Sequence, residues 1–227
     1  MEILYGLQFG INKKCLIKLK SYIDGDVSNQ DSNWDEKFWN HKEKETKDNF
    51  AALKSKTLKT SYEICTFMQN ELYLNEKIKT EKPKIEIKKN RISHNFSSEL
   101  DKNKSLSLVK CGGYVTSINH SSVNFKKTHE LSKEAMDLGF DFLLNEQKNE
   151  WEKIWESSDV SIDGDIKAQQ AIRYNIFQLN QTFTGEDERL NIGPKGYTGE
   201  KYGGGTYWDT EAFCFPFYLA TKGRLAA

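Results

Sequence analysis

Apolar residues alternate with smaller or polar ones from the start of the chain, at Ile3, Tyr5, Leu7, Phe9 and Ile11. Cys15, Ile17, Leu19 and Ile23 alternate in the same way with Lys18, Lys20 and Tyr22. A period of two is the mark of a strand with one buried face. Residues 22–39 then pass through Asp24-Gly25-Asp26 and Asn29-Gln30-Asp31-Ser32-Asn33, a turn-rich excursion. Strand character returns over residues 58–74. There Tyr62, Ile64, Thr66 and Met68 share one face and Cys65 and Phe67 the other. Apolar groups on both faces predict a sheet covered on both sides. Ile85 and Ile87 alternate with Lys84, Glu86 and Lys88, which predicts an edge strand or hairpin guarded by lysines. Residues 107–118 predict another strand, bulged at the Gly112-Gly113 pair.

The period changes near residue 128. Leu131, Ala135 and Leu138 stand at i, i+4 and i+7, and Gly139 is a helix stop. Phe140, Leu143, Leu144, Gln147, Trp151, Ile154 and Trp155 continue at helical spacing. Asp159 to Asp165 is a short extended break with an Asp-Gly turn. Helix resumes from Ile166, with Ile172, Ile176, Leu179 and Phe183 on one face and Gly185 as its C′ residue. A glycine-punctuated loop follows, and Asp209 stands where an N-cap belongs, ahead of a helix over residues 212–221. Strands first and helices later mean segregated layers or separate domains, an α+β organisation.

Composition narrows the function classes. The 227 residues suffice for one large domain or two smaller ones, and 37% are hydrophobic. Lys+Arg and Asp+Glu both number 33, so bulk charge gives no reason to expect a nucleic-acid partner. No window approaches the ~20 apolar residues of a membrane span, and no secretion signal is visible at the N-terminus. A cytoplasmic protein is expected. Cys15, Cys65, Cys111 and Cys214 form no CxxC pair, which fits free thiols rather than a metal site. The Asn-x-Ser/Thr sequons at Asn95, Asn103, Asn119 and Asn180 are read as chance. His41, His94, His120 and His129 are scattered, and no nucleophile motif accompanies them.

The chemistry concentrates in residues 190–211. Trp208-Asp209 sets an aromatic platform beside a carboxylate, which suits a sugar: C–H faces stack on the indole and hydroxyls bind the carboxylate. The competing reading is a core tryptophan followed by a capping aspartate. Loops longer than about 12–15 residues in compact domains are usually functional or disordered, and this one is aromatic-rich. Glu211 lies two residues past Asp209 in the same turn, a poor catalytic pair; it favours the helix N-terminus through the dipole. The loop is no phosphate cradle of the P-loop type, because Lys195 precedes Gly196 and no Gly-Lys-Ser/Thr occurs. Asp24, Asp26 and Asp31 lack the order of a calcium loop.

Residues 169–182, Gln-Gln-Ala-Ile-Arg-Tyr-Asn-Ile-Phe-Gln-Leu-Asn-Gln-Thr, followed by Asn191 to Glu211, closely resemble the family 65 glycoside hydrolases, and within them the maltose-type phosphorylases. Supporting stretches are 22–27, 33–39 and 151–156, and the likeness is weakest over 40–55 and 77–106. The resemblance implies a multidomain protein: a partial β-sandwich over 1–125, a helical linker over 126–160, and the first helices of an (α/α)6 barrel over 161–227. It implies attack by inorganic phosphate on the anomeric carbon of an α-linked disaccharide such as maltose, with inversion and with no metal or organic cofactor. Trp208 and Asp209 match positions that hold the non-reducing glucose. Lys195, Gly196, Gly199 and Tyr207 shape the wall of that site.

In the family the general acid and the phosphate-binding residues lie downstream of the Trp-Asp motif. This chain is therefore expected to be an internal portion of a phosphorylase, inactive alone, with Phe213, Phe215, Phe217, Tyr218 and Leu219 left as an apolar patch. Phosphorolysis of trehalose or kojibiose and hydrolysis of trehalose share the fold. A non-catalytic carbohydrate-binding fragment is the alternative of another class, and a homodimer is open for the full-length protein.

Overall fold

The computed structural model describes residues 2–10, 12–27, 37–187, 189, 191–193, 205 and 207–222. Strand β5 (Glu63–Leu74) lies at the centre of its first part, paired antiparallel on one side with β4 (Phe50–Thr57) and on the other with β9 (Ser105–Thr116). Strand β1 (Glu2–Gly10) extends this sheet beyond β9, and β3 (Trp39–Lys47) extends it beyond β4. The short β6 (Lys77–Ile78) folds back on β5 through Asn75 and Glu76, both at positive φ, as two-residue hairpin turns require. A second sheet runs β2-β8-β7, from β2 (Cys15–Asp24), β8 (Arg91–Leu100) and β7 (Lys84–Lys88).

The central sheet is covered on both faces, as the two apolar faces of β5 predict. Cys65 and Phe67 join Phe50, Ala52, Cys111, Val115 and Ala135 in one cluster under helix α1 (Phe125–Leu138). Burial pushes the Cys65 thiol up to about 12, so it is an inert core thiol. The other face meets the second sheet through two apolar clusters. One holds Ile23, Ala51, Leu53, Met68 and Ile92; the other holds Leu72, Phe96, Leu100, Leu106 and Leu108. Asn70 and His94 are both fully buried and joined by a 3.0 Å contact from Asn70 Nδ2 to His94 Nδ1. They share the alternation of these clusters: His94 lies between Ile92 and Phe96 along β8, and Asn70 between Met68 and Leu72 along β5.

Edge chemistry explains the outer strands. β7 carries Lys84 and Lys88 at its ends with Ile85 and Ile87 exposed, the lysine-guarded edge that the sequence predicts. β3 bears the register shift, between His41 and Glu43. The expected bulge at Gly112-Gly113 is not there. Both glycines pair in register with Ile3 and Glu2 on one side and with Met68 and Phe67 on the other. A strand hydrogen-bonded along both edges leaves no room for an unpaired residue, whereas an edge strand does.

Gly25 ends β2 in a tight spot. Its N–H donates to Asn90 O at 3.0 Å, and Asp26 accepts from the Asn90 amide at 2.8 Å. A Cβ at position 25 would overlap the Leu53 side chain and lie 2.9 Å from His41 Cε1. Gly25→Ala is expected to cost about 1–3 kcal/mol of stability by overpacking. Urea unfolding of the variant checks this, and an unchanged midpoint would refute the steric argument.

Two compact units divide the chain near Leu144 and Asn145, within helix α2 (Phe140–Ser158). Gly139, at φ 83°, stops α1 as its sequence predicts, and Asn124 Oδ1 caps the start by accepting from Lys127 N–H at 2.9 Å. Among the described residues no helix is long and apolar enough to cross a membrane.

Candidate sugar-binding site

The second unit is built on α3 (Ile166–Thr182). Asp165 Oδ1 caps it, accepting from Lys167 N–H at 2.9 Å and Ala168 N–H at 3.0 Å. The extended break before it is tied back to the helix by polar side chains. Gln169 donates to Val160 O at 2.8 Å and accepts from Ile162 N–H at 2.6 Å. Arg173 grips Asp159 through two bonds of 2.9 and 2.6 Å, which hold that carboxyl below its usual range. On the α2 side, Trp151 stacks on Phe177 with ring centroids 4.9 Å apart.

The C-terminal end of α3 departs from expectation. Gly185 is at φ 79° but lies beyond the helix end; Phe183, in extended backbone, is the capping residue. Side chains from residues 218–222 instead donate to a carbonyl of the last turn and to those at and just past the cap. Tyr218 donates its hydroxyl to Leu179 O at 2.6 Å, and Lys222 donates to Phe183 O and Thr184 O at 3.2 and 3.1 Å. Phe183 packs edge-on against the Tyr218 ring. Burial pushes the Tyr218 phenol up and the Lys222 ammonium down.

Residues 207–221 therefore have one end pinned to α3. Trp208 and Asp209 are already helical, Thr210–Cys214 form a π-helical turn, and α4 (Phe215–Thr221) follows. Pro216 accounts for the wide turn. It has no N–H, and its ring crowds the carbonyl four residues back, so the turn before it opens. The Phe215 N–H accordingly reaches Thr210 O, five residues back.

Trp208 is 87% exposed, so it is no core tryptophan. Asp209 is exposed and is not an N-cap: its backbone is α-helical at φ −58° and ψ −33°, where a cap is extended, and its side chain makes no capping bond. The reason is that the turn starts earlier, with Thr210 N–H donating to Tyr207 O at 3.0 Å. Both features of the competing reading are thus absent, and the indole and the carboxylate are both exposed at the surface. Tyr207 is 41% exposed beside them. Lys195, Gly196 and Gly199 lie outside the described residues. Glu211 sits in the first turn as expected. Of the five apolar residues after it, Phe213 and Leu219 are exposed, Phe215 and Phe217 half-buried, and Tyr218 buried.

Sequence reasoning missed Thr210, which is 3% exposed and donates its hydroxyl to Ile192 O at 2.9 Å. Its partner is 18 residues away in the chain, so no local pattern announces the bond. Proline at 216 is the nearest sequence signal, since it breaks a helical run.

Comparison with known proteins adds independent findings. A model described as glycosyl hydrolase family 65, N-terminal domain, matches residues 7–154. One described as glycosyl hydrolase family 65 central catalytic domain matches residues 173–227. Maltose phosphorylase of Bacillus subtilis (strain 168) is 38% identical over 219 residues, covering 91% of this chain and 27% of that protein. Alpha,alpha-trehalose phosphorylase of Thermoanaerobacter brockii is 30% identical over 220 residues, covering 92% of this chain and 28% of that protein. A solved structure bearing the name of a kojibiose phosphorylase, from human microbiome, superposes with a TM-score of 0.80 at 26% identity. It is matched over 97% of this chain and 28% of its own. The chain thus spans little more than a quarter of the length of these relatives.

Proposed function

We propose that this chain, which belongs to glycosyl hydrolase family 65, supplies the glucose-holding part of an inverting phosphorylase of α-linked disaccharides. One observation carries the reading: Trp208 and Asp209 are exposed together, on a segment anchored at Thr210 and Tyr218, inside the stretch matched by the catalytic-domain model. The indole offers a flat apolar face to sugar C–H groups, and the carboxylate accepts from ring hydroxyls as a charge-assisted acceptor. Residues 161–227 are read as the first helices of an (α/α)6 barrel and 126–160 as the linker before it. Maltose is the favoured disaccharide, because the maltose-type relative has higher identity than the trehalose-type one over the same share of the chain. A cytoplasmic home belongs to the same reading, supported by the unbridged thiol of Cys65 in the core.

The chemistry would run by inversion: phosphate attacks the anomeric carbon as a carboxylic acid protonates the leaving oxygen. Asp209 and Glu211 do not divide that work. Two residues apart in one turn, they cannot bracket a glycosidic bond, which needs carboxyls about 6.5–9.5 Å apart across the sugar. Neither the acid nor the phosphate clamp is assigned to a residue of this chain. Titration calorimetry of the 227-residue protein is the test. Glucose and maltose are expected to bind, while maltose with phosphate gives no glucose 1-phosphate. Absence of binding heat for both sugars would remove the glucose-holding role.

A further inference from the structure

We infer that Thr210 is the positioning residue of this site, holding Trp208 and Asp209 in register by tying both ends of the glycine-rich loop to one point; the inference rests on the sugar-binding reading above. All three polar groups of Thr210 are engaged. Its hydroxyl donates to Ile192 O at 2.9 Å, its N–H donates to Tyr207 O at 3.0 Å, and its carbonyl accepts from Phe215 N–H. Ile192 stands before the loop and Tyr207 after it, so one buried residue joins the ends of a long connection. The third bond closes the π-helical turn that Pro216 opens, and fixes the same point to α4. Tyr218 then fixes α4 to Leu179.

The contrast in burial shows what this arrangement does. Trp208 is 87% exposed and Thr210, two residues on, is 3% exposed. An exposed platform has no packing of its own to define its direction. Its orientation comes from the backbone beneath it, and that backbone is held at Thr210. Loss of the hydroxyl leaves the carbonyl of the half-buried Ile192 without this donor and frees the loop ends from each other. Sites whose supporting contacts are loose lose affinity even when every contacting side chain is present.

The test compares Thr210→Val, which keeps the shape and removes the hydroxyl, with Thr210→Ser, which keeps the hydroxyl. Asp209→Ala serves as the control for the sugar site itself. Glucose and maltose binding is measured by calorimetry, and hydrogen exchange is followed in peptides covering 191–193 and 207–210. Thr210→Val is expected to weaken binding about tenfold and to speed exchange at both ends of the loop, with Thr210→Ser close to wild type in both. If the valine side chain disturbs the turn by circular dichroism, Thr210→Ala carries the same comparison. Wild-type binding and exchange in the hydroxyl-free variant overturn the inference, and loss of binding in Asp209→Ala alongside leaves the sugar site standing. A wild-type chain that binds neither sugar removes the site. The role of Thr210 is then judged on exchange alone, and equal exchange with and without the hydroxyl overturns it.

Discussion

Trp208→Ala is expected to weaken glucose and maltose binding by roughly thirtyfold, about 2 kcal/mol, while leaving the thermal midpoint within experimental error of wild type. The two halves of this expectation come from the same number. An indole that is 87% exposed contributes little to the core, so its removal opens no cavity. Its whole apolar face is available to a ligand, and aromatic platforms are the residues whose truncation costs most at a binding surface. Trp151→Ala is the matched control. That ring is half-buried against Phe177 at 4.9 Å, and its truncation is expected to cost about 2 kcal/mol or more of stability with no direct contact to sugar. Calorimetry and thermal unfolding on the same two preparations give the answer. Should Trp208→Ala lose stability and keep its sugar affinity, the indole is a structural residue and the site has been placed wrongly.

How far the chain announces itself depends on where each residue finds its partner. β2, β5 and β9 follow from alternation, because their inward residues are mostly apolar. β1 alternates as well, yet Tyr5, Leu7 and Phe9 are exposed, so the buried face its pattern predicts is not found over residues 5–10. β3 and β4 escape such reading. β3 is an edge strand whose Lys42-Glu43-Lys44-Glu45 run has no apolar face, and residues 50–53 of β4 are buried together on both faces. β8 hides for another reason. Its inward positions are Ile92, His94, Phe96, Ser98 and Leu100, so the apolar residues recur every fourth place and the two polar ones erase the period of two. The site divides along the same line. Trp208-Asp209 is legible because the pair carries its chemistry in adjacent residues. Thr210 and Tyr218 are not, since their partners Ile192 and Leu179 lie 18 and 39 residues away and are backbone carbonyls, which any residue could supply. That Asp209 helps no helix end could be learned only from its backbone angles.

His94 makes the fold acid-sensitive, and the sign follows from its surroundings. The imidazole is fully buried between the two sheets, with Asn70 at Nδ1 and no hydrogen-bond partner for Nε2 among the described residues. Burial, and secondarily the Lys110 ammonium, push its pKa down to about 4. The folded state therefore binds this proton more weakly than the unfolded chain, where histidine titrates near 6.5. Stability from this group is fully present above about pH 6.5 and is lost as pH falls from there towards 4. A displacement of that size corresponds to about 3 kcal/mol in total, of which roughly 2.5 kcal/mol is gone by pH 4.5. That is a large share of the ~5–15 kcal/mol that holds most domains together. One nearby carboxylate acts in a lower window: Glu86, held down to about 2 chiefly by hydrogen bonds from Lys88 and Lys20. Urea unfolding at pH 7 and pH 4.5 tests the assignment in the wild type and in His94→Gln. The variant starts less stable at pH 7, because the buried pairing with Asn70 is altered, yet it is expected to lose about 2.5 kcal/mol less between the two pH values. A variant that retains the full acid sensitivity of the wild type would place the titrating group elsewhere, and the polar contact between the sheets would then be a matter of packing alone.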